Sequence, residues 1–309
     1  VLINPVKINL NYTVEVEADA IPDGELIRCW LPYPREDNRR QNQVKLISVN
    51  SENYIIAGNN NLQRTIYLEK FAEKSKPTVF NVEVEYLASA EYNKIDAKKI
   101  KPYNKESELY KKYTAEFYPH IVFTDKVKEL SKEIVGSEKD PYIIAKKIFT
   151  WIDKNIPWAG AREYSTLYNI PDYVITNRHG DCGQVSLLFI TLCRYNGIPA
   201  KWQSGWMLHP GEVNLHDWAE FYLEGYGWLP IDQSFGITKS QDESVQYFYL
   251  GGMDSYRLIV NDDICAPLFP AKIYPRSETV DFQRGEVEWR GGNLYFDKWD
   301  YNMKVKYSE

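Results

Sequence analysis

The hydrophobic period changes twice along this chain, and that change restricts the fold more than any other feature. KINLNYTVEVEA (7–18) and TVFNVEVEYLAS (78–89) alternate apolar and polar residues, the period-two mark of strands with one buried face. LIRCWLPYP (26–34) is a strand ending in a Pro-rich turn, and NLQRTIYLEK (61–70) is another that follows the turn-like AGNNN. Beyond the polar, Lys-rich segment YNKIDAKKIKPYNKESE (92–108) the period lengthens. TDKVKELSKEIVG (124–136) has a Thr-Asp start and a Gly stop. In KDPYIIAKKIFTWIDKNIP (139–157), Asp140 is an N-cap, Pro141 takes the first helical position and Pro157 ends the helix. Ile144, Ile148, Trp151 and Ile152 share one face of it. A further helix is expected over 182–196, stopped by Gly197. After residue 200 the strand pattern returns in KWQSGWMLH, HDWAEFYLE, YGWLPIDQ and YRLIV, then in GEVEWR, NLYFDKW and YNMKVKY. Strands and helices in separate runs imply an α+β protein. Its 309 residues suffice for two domains, an antiparallel β-sandwich over 1–100 and a second domain over 101–309.

Composition narrows the function. The net charge is −6 and no run of Lys or Arg stands out, which argues against a nucleic-acid partner. No apolar run approaches the ~20 residues of a membrane span. The four cysteines, Cys29, Cys182, Cys193 and Cys265, form no CxxC pair, so neither metal-site spacing nor a disulfide framework is expected, and no cofactor is called for. Cys193 falls on the apolar side of a helix and reads as a buried thiol. The chain begins VLINPVK without a methionine, and the expectation is an exported, periplasmic or cell-surface protein whose signal is absent. Oligomeric state is not legible. The 24 Tyr, 9 Trp and 12 Phe are expected mostly in packing.

The chemistry concentrates in RHGDCGQ (178–184). Asp181 is a good N-cap, and Gln184 three residues later completes a capping-box pattern, which puts Cys182 at the first helical position. Val185, Leu188, Phe189 and Leu192 form one apolar stripe that anchors the helix. The unpaired N–H groups and positive dipole end at such a terminus favour a thiolate, so a lowered Cys182 pKa is expected. Gly180 and Gly183 leave the backbone approachable, and the same N–H groups could hold an oxyanion.

A thiolate nucleophile needs a base, and the base an orienting group. Of the four histidines, His120 has no acidic neighbour, His179 belongs to the turn before the cysteine, and His209 stands before Pro210-Gly211. A metal site from His209, Glu212 and His216 is disfavoured by their spacing in a Pro-Gly loop. His216 opens the strand HDWAEFYLE, and Asp232 stands on the returning strand GWLPIDQSF. Opposed residues of a hairpin have a constant sum of positions. A three-residue loop over 224–226 makes that sum 450, with Asp232 the diagonal neighbour of His216, roughly 7–8 Å away between Cβ atoms. A two-residue loop would put the two on opposite faces.

GDCGQVSLLFITLCRYNGIPAKWQSGW followed by HDWAEFYLEGYGWLPIDQSFG resembles the core of the transglutaminase-like superfamily of papain-type cysteine enzymes. The shared pattern is a glycine and cysteine opening a helix, a G-I-P-A corner, a strand beginning at a histidine followed by a tryptophan, and a G-W-x-x-x-D return strand. It covers residues 178–235. The resemblance implies a papain-like core in which Cys182 is the nucleophile, His216 the base and Asp232 the orienting carboxylate, making 101–309 a catalytic domain. The LPYP corner is similar to β-domains that precede this core in bacterial members. No acidic cluster matches the calcium sites of the family's cross-linking branch. A second oxyanion donor, a Trp or Tyr upstream in some relatives, has two candidates here, Trp158 and Tyr168.

The implied chemistry is acyl transfer on a peptide or protein amide through a thioester. Hydrolysis, as in a peptidase or amidase, is the favoured outcome. Transfer to an amine, as in a transglutaminase, is the alternative, and a third reading is a non-catalytic module that binds peptide or glycan. Trp202, Trp206, Trp218 and Trp228 surround the motif as core packing, or as the lining of a cleft.

Overall fold

The period-two segments at the start of the chain form strands, and their buried positions alternate as the sequence pattern requires. In the computed structural model, which describes residues 1–160 and 162–308, six strands come first: β1 (Leu2–Val16), β2 (Leu26–Pro32), β3 (Gln41–Val49), β4 (Tyr54–Ile56), β5 (Thr65–Phe71) and β6 (Thr78–Glu91). Helices α1 (Glu108–Thr114), α2 (Asp125–Val135), α3 (Pro141–Asn155), α4 (Ile170–Asn177) and α5 (Cys182–Tyr195) follow. Then come β7 (Ala200–His209), β8 (Glu212–Leu223), β9 (Gly227–Ile231), the one-turn α6 (Glu243–Gln246), β10 (Arg257–Asn261), β11 (Glu286–Trp289), β12 (Gly292–Leu294) and β13 (Trp299–Ser308). The chain is therefore α+β with mostly antiparallel sheets. No helix among the described residues is long and apolar enough to cross a membrane.

The chain divides into two compact units, and the division is not at residue 100. One unit is Val1, Glu91–Gln203 and His216–Asp254; the other is Leu2–Ala90, Ser204–Leu215 and Ser255–Glu309. The units interleave because strand partners are remote in sequence. β13 pairs antiparallel with β1, from Lys7 opposite Ser308 to Val16 opposite Trp299. β11 pairs with β2, Val287 lying opposite Cys29. Hydrophobic period reveals a strand's faces but not its neighbour, so this return of the last segment was invisible in the pattern.

In the second unit, one sheet has the order β13-β1-β6-β3 and another the order β12-β11-β2-β5-β4. Both turn their apolar residues into one core: Ile8, Leu10, Tyr12 and Val14 of β1 and Phe80, Val82 and Val84 of β6 with Ile27 and Leu31 of β2 and Ile66 and Leu68 of β5. This is sandwich packing. Trp206 belongs to this core, edge-on to Tyr12 at 5.8 Å and to Tyr301 at 5.7 Å between ring centroids. Beside it, a Cβ at Gly205 would lie 1.9 Å from the Leu258 carbonyl oxygen of β10, so only glycine permits that approach.

The first unit is organised around α5. From Gly183 to Arg194 every residue of α5 is buried, the polar Gln184, Ser186, Thr191 and Arg194 included. It packs against α1, α2, α3 and α4, and Phe189 meets Phe221 of β8 edge-on at 6.2 Å. Each fully buried Leu, Ile or Phe contributes about 1.5–3 kcal/mol, so the helix is held firmly. The start signals operate as read: Thr124 accepts from the Val127 N–H, and Asp140 from those of Tyr142 and Ile143. Gly136, at φ 61°, ends α2. Three helices were not expected, among them the one-turn α6 after its Asp242 cap. α1 starts at the Ser107 cap inside the polar segment, and α4 at the Asn169 cap.

Candidate active site

The N-terminus of α5 is built by the capping box its sequence spells. Asp181 Oδ1 accepts from the Gln184 N–H at 3.0 Å, and Gln184 Oε1 accepts from the Asp181 N–H at 3.2 Å. Cys182 follows at the first helical position, partly accessible. The approach to it is braced by residues 157–159: the Ala159 N–H donates to the Gly180 carbonyl at 3.1 Å, and the Gly180 N–H to that of Pro157 at 3.3 Å. Trp158 thus adjoins the cysteine turn and is 68% exposed. Tyr168 is exposed as well and shares a hydroxyl hydrogen bond with Tyr118.

The β8–β9 hairpin fixes the next two groups. Leu223 pairs with Gly227 and Ala219 with Ile231, so opposed positions sum to 450 and the loop is 224–226. Gly225 supplies φ 96° within that loop. The register puts His216 and Asp232 on one face, and His216 Nε2 lies 2.7 Å from Asp232 Oδ2. The other carboxylate oxygen, Oδ1, accepts from the Ser234 and Phe235 N–H groups, both at 3.1 Å. Both side chains are buried. Phe235 stands edge-on to the His216 ring at 5.3 Å, and Trp218 lies 5.9 Å away. With Asp232 as the acceptor, Nε2 is the ring nitrogen assigned the hydrogen of this contact.

Around Cys182 the structure adds two groups that the sequence reading did not single out. Cys182 Sγ lies 3.6 Å from Asp217 Oδ2 in donor geometry. The Tyr164 hydroxyl is 2.7 Å from Asp181 Oδ1 and 3.2 Å from Asp217 Oδ2, linking the two carboxylates. Asp217 is buried. It follows the histidine directly, and strand alternation assigns it no role. Tyr164 lies in a short turn, Tyr164–Thr166, outside any periodic pattern.

This setting reverses the expected shift of the thiol. Burial, followed by Asp217 and Asp181, pushes the Cys182 thiol well above the usual cysteine range, and hydrogen bonding to the Asp217 backbone opposes them. The helix terminus supplies about half a positive charge spread over a turn. Burial of the sulfur, the largest cause, together with the two carboxyl groups beside it outweighs that half charge. Asp181 is itself shifted upward, chiefly by burial. Its side chain also engages the Gly183 N–H. The cap thus takes up the Gly183 and Gln184 donors of the first helical turn.

The other histidines lie elsewhere. His120 is buried with Nδ1 accepting from the Ile170 N–H at 3.3 Å, and burial lowers its pKa to about 4. His179 is held between the Tyr173 hydroxyl and the Asn177 carbonyl, both at 3.1 Å. His209 packs on Tyr256, 5.5 Å between centroids, in the sandwich unit. Among the described residues no group of three His, Cys, Asp or Glu side chains is arranged to hold a metal ion. Of the tryptophans, Trp202 and Trp218 are fully buried, Trp218 donating to Gln203 at 2.8 Å. Trp228 is edge-on to Tyr113 and Tyr222.

Residues 128–233 match the family model of the transglutaminase-like superfamily. An uncharacterized protein of Haemophilus influenzae is 30% identical over 143 residues, a match covering 38% of this chain and 38% of that protein. The match therefore spans well under half of that relative's length. Among solved structures, the backbone is similar to one described as a "Putative Cysteine Protease from Cytophaga hutchinsonii", with a TM-score of 0.64 and 16% identity over 100% of this chain and 92% of that chain. At that identity the likeness shows a shared fold. The periplasmic domain of TgpA from Pseudomonas aeruginosa matches with a TM-score of 0.37 and 14% identity over 73% of this chain and 88% of that one.

Proposed function

We propose that this chain, whose residues 128–233 carry a transglutaminase-like domain, hydrolyses amide bonds of peptides or proteins through Cys182, His216 and Asp232. The observation that carries the reading is the buried His216–Asp232 hydrogen bond of 2.7 Å on the hairpin whose next residue, Asp217, reaches Cys182. Asp232 fixes the imidazole with Nδ1 as its basic nitrogen. In the first step the sulfur attacks the amide carbonyl as its proton moves to Nδ1. The Cys182 N–H stabilises the developing oxyanion. The imidazolium, stabilised by Asp232, then protonates the leaving amine, and a thioester remains on Cys182. Water, deprotonated by the same imidazole, releases the acid and regenerates the thiol. Proton transfer positioned in this way accounts for roughly 10²–10⁴ in rate.

The test is turnover of a mixed amide and peptide library by the native chain and by Cys182→Ala and His216→Ala. The reading expects cleavage by the native chain and none by either variant. Incorporation of a fluorescent amine into a glutamine-bearing protein, without net hydrolysis, would replace water by an amine as acceptor. Ligand binding unchanged in Cys182→Ala, with no turnover by any form, would overturn the enzyme reading.

A further inference from the structure

The ionisable groups set around Cys182 are Asp181 from the turn before α5, Asp217 and its neighbour His216 on β8, and Asp232 after β9, with the Tyr164 hydroxyl joining the first two carboxylates. In cysteine enzymes of this kind a preformed thiolate would rest against an imidazolium. Here a carboxyl oxygen of Asp217 lies 3.6 Å from the sulfur, in the position of a hydrogen-bond acceptor. A carboxylate only accepts hydrogen bonds, so the contact is favourable when the sulfur carries its hydrogen and repulsive when it does not.

We infer that Asp217, held in place by Tyr164, is a positioning residue that keeps Cys182 as a neutral thiol until an acyl group is bound; this rests on the enzymatic reading above. Tyr164 has one proton to share between Asp181 at 2.7 Å and Asp217 at 3.2 Å, and that link fixes the Asp217 carboxylate under the sulfur. The space is reserved for it. A Cβ at Gly183 would lie 2.2 Å from Tyr164 Oη and 2.6 Å from Asp217 Oδ2. In the reacting complex the S–H bond breaks, its proton passes to His216 Nδ1, and the sulfur lone pair forms the C–S bond. Asp217 keeps its charge throughout and favours the proton's return when the thioester is released. The resting enzyme therefore carries no thiolate to be alkylated or oxidised between turnovers.

The experiment is thiolate absorbance near 240 nm, recorded from pH 5 to 10 as native protein minus Cys182→Ser. It is run beside the rate of alkylation by iodoacetamide at pH 7. The native difference should show no thiolate at pH 7 and a half-rise above the ~8.5 of a free cysteine. In Asp217→Asn the half-rise should fall by at least one pH unit and alkylation at pH 7 should quicken about tenfold or more. In His216→Ala the half-rise should stay in place. Thiolate already present in the native protein at pH 7 would overturn the inference, as would an unchanged titration in Asp217→Asn. If Asp217→Asn fails to fold, the native curve alone decides. Amide turnover is scored separately: turnover abolished by Cys182→Ser with an unmoved Asp217→Asn titration removes this role and leaves the enzyme standing. A moved titration in a protein without turnover does the reverse.

Discussion

Replacing Gly183 by alanine probes how tightly the site is packed. The new Cβ would lie 2.2 Å from Tyr164 Oη, 2.6 Å from Asp217 Oδ2 and 2.8 Å from Trp202 Cη2. Trp202 is fully buried and has nowhere to go. The hydroxyl and the carboxylate are ends of side chains, so they would swing away and the Tyr164 links to Asp181 and Asp217 would break. Overpacking of this kind costs about 1–3 kcal/mol, and a lost hydrogen bond to a charged group about 1.5–3 kcal/mol. Removing a glycine from a helix returns about 0.5–1 kcal/mol. The balance is a loss of about 1.5–5.5 kcal/mol, or roughly 3–20 °C in Tm for a folding unit of this size. Circular dichroism melts give the first number, with Gly160→Ala as control because nothing lies within 4 Å of its Cβ. The same variant should titrate Cys182 at lower pH, since Asp217 has moved off the sulfur. A Tm within 1–2 °C of native, roughly the scale of a neutral surface change, together with an unmoved thiol titration would refute the packing argument.

Two further outcomes follow from the same geometry. Asp232→Asn keeps the side-chain shape but presents an NH₂ to His216 Nε2, which forces the hydrogen onto Nδ1 and removes the base; turnover should fall on the order of 10³–10⁴, and a fall under tenfold in steady-state assays would contradict the assignment. His120 is neutral when buried, with a pKa near 4 against about 6.5 when unfolded. Stability linked to it is complete above pH 6.5 and is lost as pH falls toward 4, by up to about 3 kcal/mol. Urea melts at pH 7.5 and 4.5 should show that loss in the native chain and a smaller one in His120→Asn, and equal losses in both would rule His120 out as the cause.

The candidate site was legible where local rules govern it. The capping box around Cys182 follows from Asp181 and Gln184, and the shared face of His216 and Asp232 was legible as one of two parities, which the three-residue loop of the hairpin decides. Pro141 and Gly136 mark helix ends for the same local reason. What remained hidden depends on three-dimensional neighbours. Tyr164 meets Asp181 and Asp217 meets Cys182 across gaps of 17 and 35 residues in sequence, and no period or spacing couples them. The sign of the Cys182 shift failed with them, since a helix terminus is visible in sequence while the burial of the sulfur and the carboxyl group facing it are not. Trp206 reads as a companion of the motif but packs with Tyr12 and Tyr301 in the sandwich. The β7 strand that carries it passes from one unit into the other.

The central claim is that Cys182 carries the acyl group. Mass spectrometry of the native chain after brief incubation with a mixed peptide and cell-wall extract, quenched in acid, tests it directly. The account predicts an added acyl mass on the peptide bearing Cys182 that hydroxylamine removes. It predicts none on Cys29, Cys193 or Cys265, and none in Cys182→Ala. Amide cleavage that persists in Cys182→Ala would contradict it, as would an adduct confined to another cysteine.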